Sequence, residues 1–215
     1  MPDFALEREH GTEALVIGLD EAGRGPWAGP VVAAAVWLDA ARAPEAFLVR
    51  LNDSKLLKPA ARAALFEDLA AASRAGTAAF GIAQGSVAEI DEVNILQASL
   101  LAMRRAAERL GETLGKTLGR PPDAALVDGK QAPQLACPAR AVVKGDSRSL
   151  SIAAASILAK VTRDRLMQEL AARHPGYGWE RNMGYGTAEH RRALERLGVT
   201  PEHRRSFRPI RERLI

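Results

Sequence analysis

The sequence predicts an α/β fold, in which a mixed β-sheet is flanked by helices and followed by a mostly helical C-terminal part. Three observations support this prediction: three apolar runs of strand type come early, two shorter runs alternate with helical patterns, and helical patterns dominate towards the C-terminus. The 215 residues are 47% apolar and 26% charged, which suits one domain with a sizeable core. We therefore expect a single domain over residues 1–215.

Each predicted strand is a short apolar run, and there are five of them: residues 14–19, 31–38, 77–83, 124–127 and 141–143. The predicted helices carry apolar residues at helical spacing: residues 59–72, 94–110 and 149–170. Ser86 and Glu89 have the spacing of a capping box, which predicts that a helix starts there and continues into the second of these segments. Thr187 and Thr200 are predicted to begin two shorter helices, and residues 111–123 form the one predicted linker.

The formal net charge of +4 is unevenly distributed along the chain. Residues 160–215, called the basic C-terminal part below, hold 13 Lys and Arg against 7 Asp and Glu, whereas the rest of the chain is slightly acidic. This distribution favours a polyanion-binding face, with Arg204 and Arg205 as candidate contacts to backbone phosphates. The alternative is that these arginines pack structurally or face solvent, because Arg outnumbers Lys 24 to 6 over the whole chain.

Composition also disfavours several classes of protein. No segment approaches the roughly 18 uncharged apolar residues of a membrane span, and the polar N-terminus lacks the pattern of a signal peptide. Cys137 is the only cysteine, which excludes an intrachain disulfide or a cysteine zinc site. We therefore expect a cytoplasmic protein.

Four acidic residues follow apolar, strand-like runs directly or at a short distance: Asp20, Glu21, Asp128 and Asp146. Because ligands collect at the carboxyl ends of strands in open α/β sheets, these side chains are expected to come together. Such a cluster of negative charge requires cations, and Mg²⁺ or Mn²⁺ prefer oxygen ligands. Two such ions would suit the hydrolysis of a phosphodiester.

Each acid also has a structural explanation that the sequence leaves open. Asp20 could form an Asx turn where its strand ends, and Asp128 with Gly129 resembles a hairpin turn, although a poor returning strand follows. Asp146 could stand at the start of the helix predicted from residue 149. The combination of the four acids, rather than any one of them, indicates a metal site.

A glycine- and proline-rich loop follows the first two acids. Residues 23–28 (GRGPWA) match the letters of a dinucleotide-binding fingerprint, but that fingerprint must open a helix, and here Pro26 and Pro30 flank a turn that leads into an apolar strand. The loop therefore predicts a tight, exposed backbone that can approach a sugar or phosphate closely. The alternative is a connection between two strands that binds no ligand.

Seven segments together resemble the bacterial ribonuclease HII family. They occur in the family's order and cover nearly the whole chain: residues 18–26 (GLDEAGRGP), 28–36 (AGPVVAAAV), 53–55 (DSK), 126–129 (LVDG), 144–147 (KGDS) with 152–160 (IAAASILAK), 184–187 (GYGT) with His190, and 203–207 (HRRSF). One such motif is weak, whereas seven in order are very specific. The resemblance implies a ribonuclease H-like fold, with a mixed sheet, flanking helices and a helical C-terminal part.

For the activity, the resemblance implies a metal-dependent endonuclease. Such an enzyme cleaves the RNA strand of RNA–DNA hybrids and cuts on the 5′ side of ribonucleotides embedded in duplex DNA, leaving a 3′-hydroxyl and a 5′-phosphate. The four acids would bind two Mg²⁺ or Mn²⁺ ions. We expect the protein to be a monomer, although the sequence itself does not determine the oligomeric state. One alternative is another nuclease of this fold, such as a junction resolvase, which would ignore ribose. The other is a non-catalytic nucleic-acid-binding module, which would not cut in the presence of divalent cations.

For the substrate, the resemblance assigns recognition of the ribonucleotide 2′-hydroxyl to the backbone of three residues: Gly23, Arg24 and Gly25. This hydroxyl is the group that separates RNA from DNA. Tyr185 would contact the sugar just past the ribonucleotide, and Lys55 and Lys144 would lie near backbone phosphates. Taken alone, Tyr185 would be a turn residue and each lysine a solvated side chain. In one departure from the family, Met183 stands where many members have Lys, so a phosphate contact is missing or comes from Arg181.

Overall fold

The computed structural model describes residues 1–51 and 57–214, and its central element is a five-stranded sheet. The strands are β1 (Val16–Ala22), β2 (Val31–Leu38), β3 (Ala78–Gly85), β4 (Ala124–Asp128) and β5 (Ala139–Val142). Their order is β3–β2–β1–β4–β5. β2 is antiparallel to β1 and β3, whereas β4 is parallel to β1 and β5, so the predicted mixed sheet is confirmed.

Helices flank the sheet and dominate the C-terminal part: α1 (Ala5–Arg8), α2 (Glu45–Leu48), α3 (Pro59–Arg74), α4 (Val87–Leu118), α5 (Leu150–Arg173), α6 (Trp179–Asn182), α7 (Ala188–Leu197) and α8 (Arg208–Arg211). The three long predicted helices are confirmed as α3, α4 and α5. Thr187 caps α7 as predicted, because its hydroxyl accepts a hydrogen bond from the His190 N–H. The other helices are single turns, too short to produce a periodic pattern. In the described residues, no helix combines the length and apolarity that crossing a bilayer requires.

The alternation of side chains along β2 explains why helices cover both faces of the sheet. Its odd-numbered residues pack in one apolar cluster with α4, and its even-numbered residues from Ala34 to Leu38 pack in another with α3 and α5. All residues of β2 are buried, as expected for a strand covered on both sides. A glycine permits a close contact on the second face, since a Cβ on Gly18 of β1 would lie 2.2 Å from the backbone of Ser151 in α5.

Helix α4 consists of two segments joined at Asn94, whose φ of 68° does not fit a helix. The capping box of Ser86 and Glu89 is confirmed at the start of the first segment. The Asn94 side-chain oxygen accepts hydrogen bonds from the next free N–H groups, those of Leu96 and Gln97, and so caps the second segment. That segment runs on to Leu118 because Leu114 is still buried, so the linker predicted at residues 111–123 is mostly wrong.

The basic C-terminal part packs around an apolar cluster of its own, which includes Met167, Trp179, Leu194 and Ile210. The helix predicted to begin at Thr200 is wrong, because this residue starts a turn instead. The Thr200 N–H donates to the ring of His203, and its hydroxyl accepts from the Glu202 N–H. These local bonds satisfy the groups that a helix would otherwise use.

Candidate active site

Three of the four predicted acids meet at one edge of the sheet, where the parallel strands β1 and β4 end. Asp20 and Glu21 lie within β1, and Asp128 is the last residue of β4. β1 is longer than predicted because its antiparallel pairing with β2 continues through Ala22. Asp20 therefore does not begin an Asx turn, and the parallel pairing of β4 with β5 excludes a hairpin turn at Asp128.

Asp20 is a buried carboxylate, with 4% of its surface exposed, on the face of β1 that packs against α5. Its Oδ1 accepts a hydrogen bond of 2.7 Å from the Glu21 N–H, and Ser156 of α5 also hydrogen-bonds its side chain. Burial raises the pKa of Asp20 well above its ordinary value, and the negative charges of Glu21 and Asp128 raise it further. A nearby cation would relieve both effects.

Glu21 is partly buried and forms an ion pair with Arg24, whose guanidinium lies 3.2 Å from Glu21 Oε1. Burial raises the pKa of Glu21, Arg24 lowers it, and the charge of Asp128 adds a smaller increase. Half of the Arg24 side chain is exposed, so this ion pair contributes little stability and can be exchanged for another cation.

Asp128 and Asp146 are connected through the turn that follows β5. The Gly145 N–H donates a 2.7 Å hydrogen bond to Asp128 Oδ1, and Asp146 is the next residue, within the short 3-10 helix Gly145–Ser147. Asp146 is buried, with 5% of its surface exposed. The cap of α5 is Ser149 rather than Asp146, because the Ser149 hydroxyl accepts the Ile152 N–H.

A cleft of about 280 Å³ brings the acids and the glycine loop together. Its walls contain seven of the residues singled out from the sequence: Asp20, Glu21, Asp128, Gly23, Arg24, Gly25 and Tyr185. Within the described residues, Asp146 and Lys144 are not part of these walls, and Lys144 is exposed on the turn before Asp146. Lys55 lies outside the described residues.

Helix α5 adds three polar residues to the cleft that were not identified as site residues from the sequence: Ser156, Lys160 and Arg163. Their spacing of four and three residues places them on one face of the helix. They lie beside the apolar stripe of α5. A row of polar residues along an otherwise buried helix is the sequence pattern from which their place in the site could have been predicted. Lys160 is held by Asp164, with 2.5 Å between Nζ and Oδ1.

The donor set fits a hard divalent cation. The acids supply only carboxylate oxygens, and the histidines of the described chain lie elsewhere. In the described residues, no three His, Cys, Asp or Glu side chains already form a closed group of ligands. The pKa values of Asp20 and Glu21 are nevertheless raised, first by burial and to a smaller extent by neighbouring carboxylates, and a bound cation would stabilise their charged forms.

Two buried arginines hold the glycine loop from behind, and the first is Arg163 of α5, with 1% exposure. Its Nε donates to the Pro30 carbonyl, and its terminal nitrogens donate to the carbonyls of Ala28 and Met183, all at 3.0–3.1 Å. Gly23 packs directly on it, with a φ of 97°, and a Cβ there would lie 1.9 Å from Arg163 Nε. Burial lowers the pKa of Arg163 to about 10, so the guanidinium stays charged at neutral pH.

The second is Arg204, which is fully buried. Its Nε donates to the Gly29 carbonyl at 2.9 Å. Its two terminal nitrogens donate to the backbone carbonyls of Arg24, at 2.9 Å, and Gly23, at 2.6 Å. Burial, with a smaller effect of the charge on Arg163, lowers the pKa of Arg204 to about 9. The expectation that Arg204 contacts backbone phosphates is therefore wrong, whereas its neighbour Arg205 is exposed.

A larger cavity of about 500 Å³ lies at the opposite end of β1, and none of the proposed site residues lines it. Its buried acid, Glu7, accepts hydrogen bonds of 2.7 Å from the hydroxyls of Ser149 and Ser151. Glu7 thereby ties the N-terminal segment to the first turn of α5.

Comparison with known proteins agrees with this geometry. The family model of ribonuclease HII matches residues 17–210. Ribonuclease HII of Rhodospirillum rubrum is 58% identical over 215 residues, which cover 100% of this chain and 92% of the relative. The crystal structure of ribonuclease H2 from Pyrococcus horikoshii OT3 has a TM-score of 0.67 at 26% identity, over 92% of this chain and 95% of that one.

A second solved structure, Bst-RNase HIII in complex with Mn²⁺, has a TM-score of 0.72 over 95% of this chain and 71% of that one. At 19% identity this likeness concerns the fold alone. The expected ribonuclease H-like fold is thus confirmed. The family match covers both strands that carry the acids, the glycine loop and the segment around Tyr185. The chain therefore belongs to the ribonuclease HII family, whose members are metal-dependent endonucleases that cleave RNA in RNA–DNA hybrids and at single ribonucleotides in DNA.

Proposed function

We propose that the cleft at the ends of β1 and β4 is where this protein hydrolyses the phosphodiester on the 5′ side of a ribonucleotide. The observation that carries the proposal is that Asp20, Glu21 and Asp128 share this cleft with the backbone of residues 23–25. Metal-binding oxygens and a backbone able to contact ribose therefore lie side by side. The expected substrates are RNA–DNA hybrids and duplex DNA that contains single ribonucleotides.

In this proposal four acids bind Mg²⁺ or Mn²⁺: Asp20, Glu21, Asp128 and Asp146. Bound there, two such ions would supply the activation of the attacking water and the stabilisation of the oxygen that leaves the phosphorus. The chain holds its ligands in place beforehand: the Glu21 N–H and Ser156 orient Asp20, and the Gly145 N–H orients Asp128. Cleavage leaves a 3′-hydroxyl on one product and a 5′-phosphate on the other.

Substrate recognition is assigned to the glycine loop and Tyr185, which line the same cleft. The backbone of Gly23, Arg24 and Gly25 contacts the 2′-hydroxyl, and Tyr185 packs on the sugar that follows. Tyr185 is 49% exposed, and its ring lies against Gly25, where a Cβ would be 3.3 Å from Tyr185 Cε1. Lys144, which is exposed, and Lys55 are proposed phosphate contacts, the latter from the family resemblance alone.

The decisive experiment uses a duplex with one embedded ribonucleotide and matched duplexes with 2′-deoxy or 2′-O-methyl at that position. We expect cleavage 5′ of the ribonucleotide with Mg²⁺ or Mn²⁺, the stated product ends, and no cleavage with chelator or with either modified sugar. Cutting of an all-DNA branched substrate at a similar rate would indicate a junction resolvase instead. Binding without cation-dependent cutting would indicate a nucleic-acid-binding module.

A further inference from the structure

The two buried arginines behind the glycine loop make their hydrogen bonds to backbone carbonyls, and the Arg204 guanidinium also lies over the Phe207 ring, 5.1 Å from its centroid. Six of their N–H donors go to six carbonyls, and five of those carbonyls belong to residues 23–30. In the described chain neither guanidinium makes an ion pair with a carboxylate, although both are almost completely removed from water. Asp164 and Asp91 attract Arg163 and Arg204 only from a distance, and a buried charge without a directly paired counter-charge is unfavourable unless hydrogen bonds compensate it. Five of these six hydrogen bonds go to one loop, whose shape is therefore tied to both arginines.

The bonds of Arg204 determine which way the peptide groups of that loop face. In a trans peptide the carbonyl of one residue and the N–H of the next point in opposite directions. Arg204 binds the carbonyls of Gly23 and Arg24, so the N–H groups of Arg24 and Gly25 point away from it. Within the described residues, neither of these N–H groups donates to a protein acceptor. Both belong to residues that line the cleft.

Arg163 fixes the other end of the loop and connects it to the segment before Tyr185. It binds the carbonyls of Ala28 and Pro30 at the end of the loop, and that of Met183. The Trp27 N–H adds a 2.8 Å hydrogen bond to the Gly184 carbonyl. The loop and the Tyr185 segment are thus held in register, so the two proposed sugar contacts keep a fixed spacing.

We propose that Arg163 and Arg204 are positioning residues for ribose recognition, which orient the N–H groups of Arg24 and Gly25 towards an acceptor oxygen in the cleft. The inference rests on the proposed function, because that acceptor is the ribose 2′-oxygen. The planar fork of each guanidinium is essential. A lysine at either position would keep the charge but could not reach three carbonyls in the same directions.

The test measures binding rather than cutting. Dissociation constants are measured in chelator for two duplexes that differ in one 2′-hydroxyl, with the wild type, Arg163→Lys and Arg204→Lys. Arg42→Lys is the matched control, because Arg42 is an exposed residue at the opposite end of the sheet, away from the cleft and from the basic C-terminal part. We expect the wild type and the control to prefer the ribonucleotide by on the order of tenfold, and the two variants to lose most of this preference while binding all-DNA duplex normally.

The outcomes separate the two proposals. A wild type that binds both duplexes equally would contradict the proposed ribose recognition. If the wild type prefers the ribonucleotide duplex and the folded variants Arg163→Lys and Arg204→Lys show the same preference, the positioning role is overturned and the proposed ribose recognition stands. Amide hydrogen exchange in the wild type covers the case in which the variants do not fold. The amides of Arg24 and Gly25 should then be protected by the ribonucleotide duplex and not by the all-DNA duplex, and equal protection by both would overturn the inference.

Discussion

The Nε2 atoms of His190 and His203 lie 3.0 Å apart in the interior of the C-terminal part, and a single proton joins them. His190 Nδ1 faces the Tyr185 carbonyl, which only accepts, so the His190 proton is on Nδ1. His203 Nδ1 faces the Thr200 N–H, which only donates, so the His203 proton is on Nε2 and points at His190. The Trp179 indole N–H also donates to His190 Nε2. Both rings are therefore neutral, and the pair anchors the backbone of Tyr185.

This arrangement predicts a loss of stability in mild acid. Burial lowers the pKa of both histidines, and that of His203 falls to about 3 with a further contribution from His190. An unfolded histidine takes up its proton near 6.5, so between that pH and about 3 the unfolded state binds more protons. The contribution of the neutral histidines to the free energy of unfolding is therefore fully present above pH 6.5. As the pH is lowered from 6.5, the free energy of unfolding decreases, by up to about 1.4 kcal/mol per pH unit for His203. Urea unfolding at several pH values measures this slope.

Variants identify the source of the slope. His203→Gln can still donate to His190 and accept from Thr200, but it does not titrate, so the loss of stability in acid should become smaller. His10→Gln is the control, because His10 is exposed near the N-terminus, and its slope should equal that of the wild type. The same slope in all three proteins would contradict the neutral pair as its cause.

The metal cluster predicts opposite effects of one substitution with and without cations. Asp20→Asn removes a buried charge beside Glu21 and Asp128, so without metal the variant should be at least as stable as the wild type. With Mg²⁺ or Mn²⁺ at about ten times its dissociation constant, the wild type should gain about 1.4 kcal/mol and the variant little. Thermal unfolding in chelator and in each cation measures both, and Asp20→Asn should also abolish cleavage.

Glu108→Gln provides the control for this comparison, because it removes an exposed carboxylate from α4. Its melting temperature should rise with the cation as that of the wild type does. A cation-dependent rise of equal size in Asp20→Asn, together with full cleavage activity, would remove Asp20 from the proposed ligands.

Much of the fold was accessible from local patterns, because long apolar runs and capping residues act over few positions. The apolar run at residues 31–38 predicts β2 with the bounds that the structure shows, and Thr187 is correctly predicted to cap a helix. The extension of β1 through Asp20 and Glu21 was not accessible, because it depends on pairing with β2. The helix predicted to begin at Thr200 is wrong for a similar reason, because the Thr200 N–H donates to the His203 ring and the chain forms a turn there.

In the site, too, residue types at strand ends could be predicted from the sequence, whereas contacts between distant parts of the chain could not. The acids and the glycine loop stood out as residue types at strand ends. The role of Arg204 could not be predicted from the sequence, because an arginine next to Arg205 near the C-terminus has the pattern of a phosphate contact. Its burial depends on contacts with Gly23 and Arg24, about 180 residues away along the chain. Sequence patterns do not distinguish a buried arginine that binds carbonyls from a solvated one.

The basic C-terminal part predicts salt-dependent binding in which only exposed arginines take part. Arg205→Ala should reduce the slope of log affinity against log salt by about one, independently of base sequence, because each phosphate contact releases about one counterion. Arg42→Ala is the control, since Arg42 is exposed at the opposite end of the sheet and pairs with Asp39. Affinities for one duplex over a range of salt concentrations give the slopes. An unchanged slope in folded Arg205→Ala would show that this side chain faces solvent in the complex.

The ring of Tyr185 is predicted to act by packing rather than through its hydroxyl. The ring borders the cleft and lies against Gly25, and no protein group in the described chain hydrogen-bonds its hydroxyl. Tyr185→Phe should therefore cleave an RNA–DNA junction at close to the wild-type rate, whereas Tyr185→Ala should be slower by on the order of tenfold. The rise in melting temperature with Mg²⁺ or Mn²⁺ should be the same in both variants, because Tyr185 is not a proposed ligand. If Tyr185→Phe were as slow as Tyr185→Ala, the hydroxyl would be the group that contacts the substrate, and the packing assignment would be wrong.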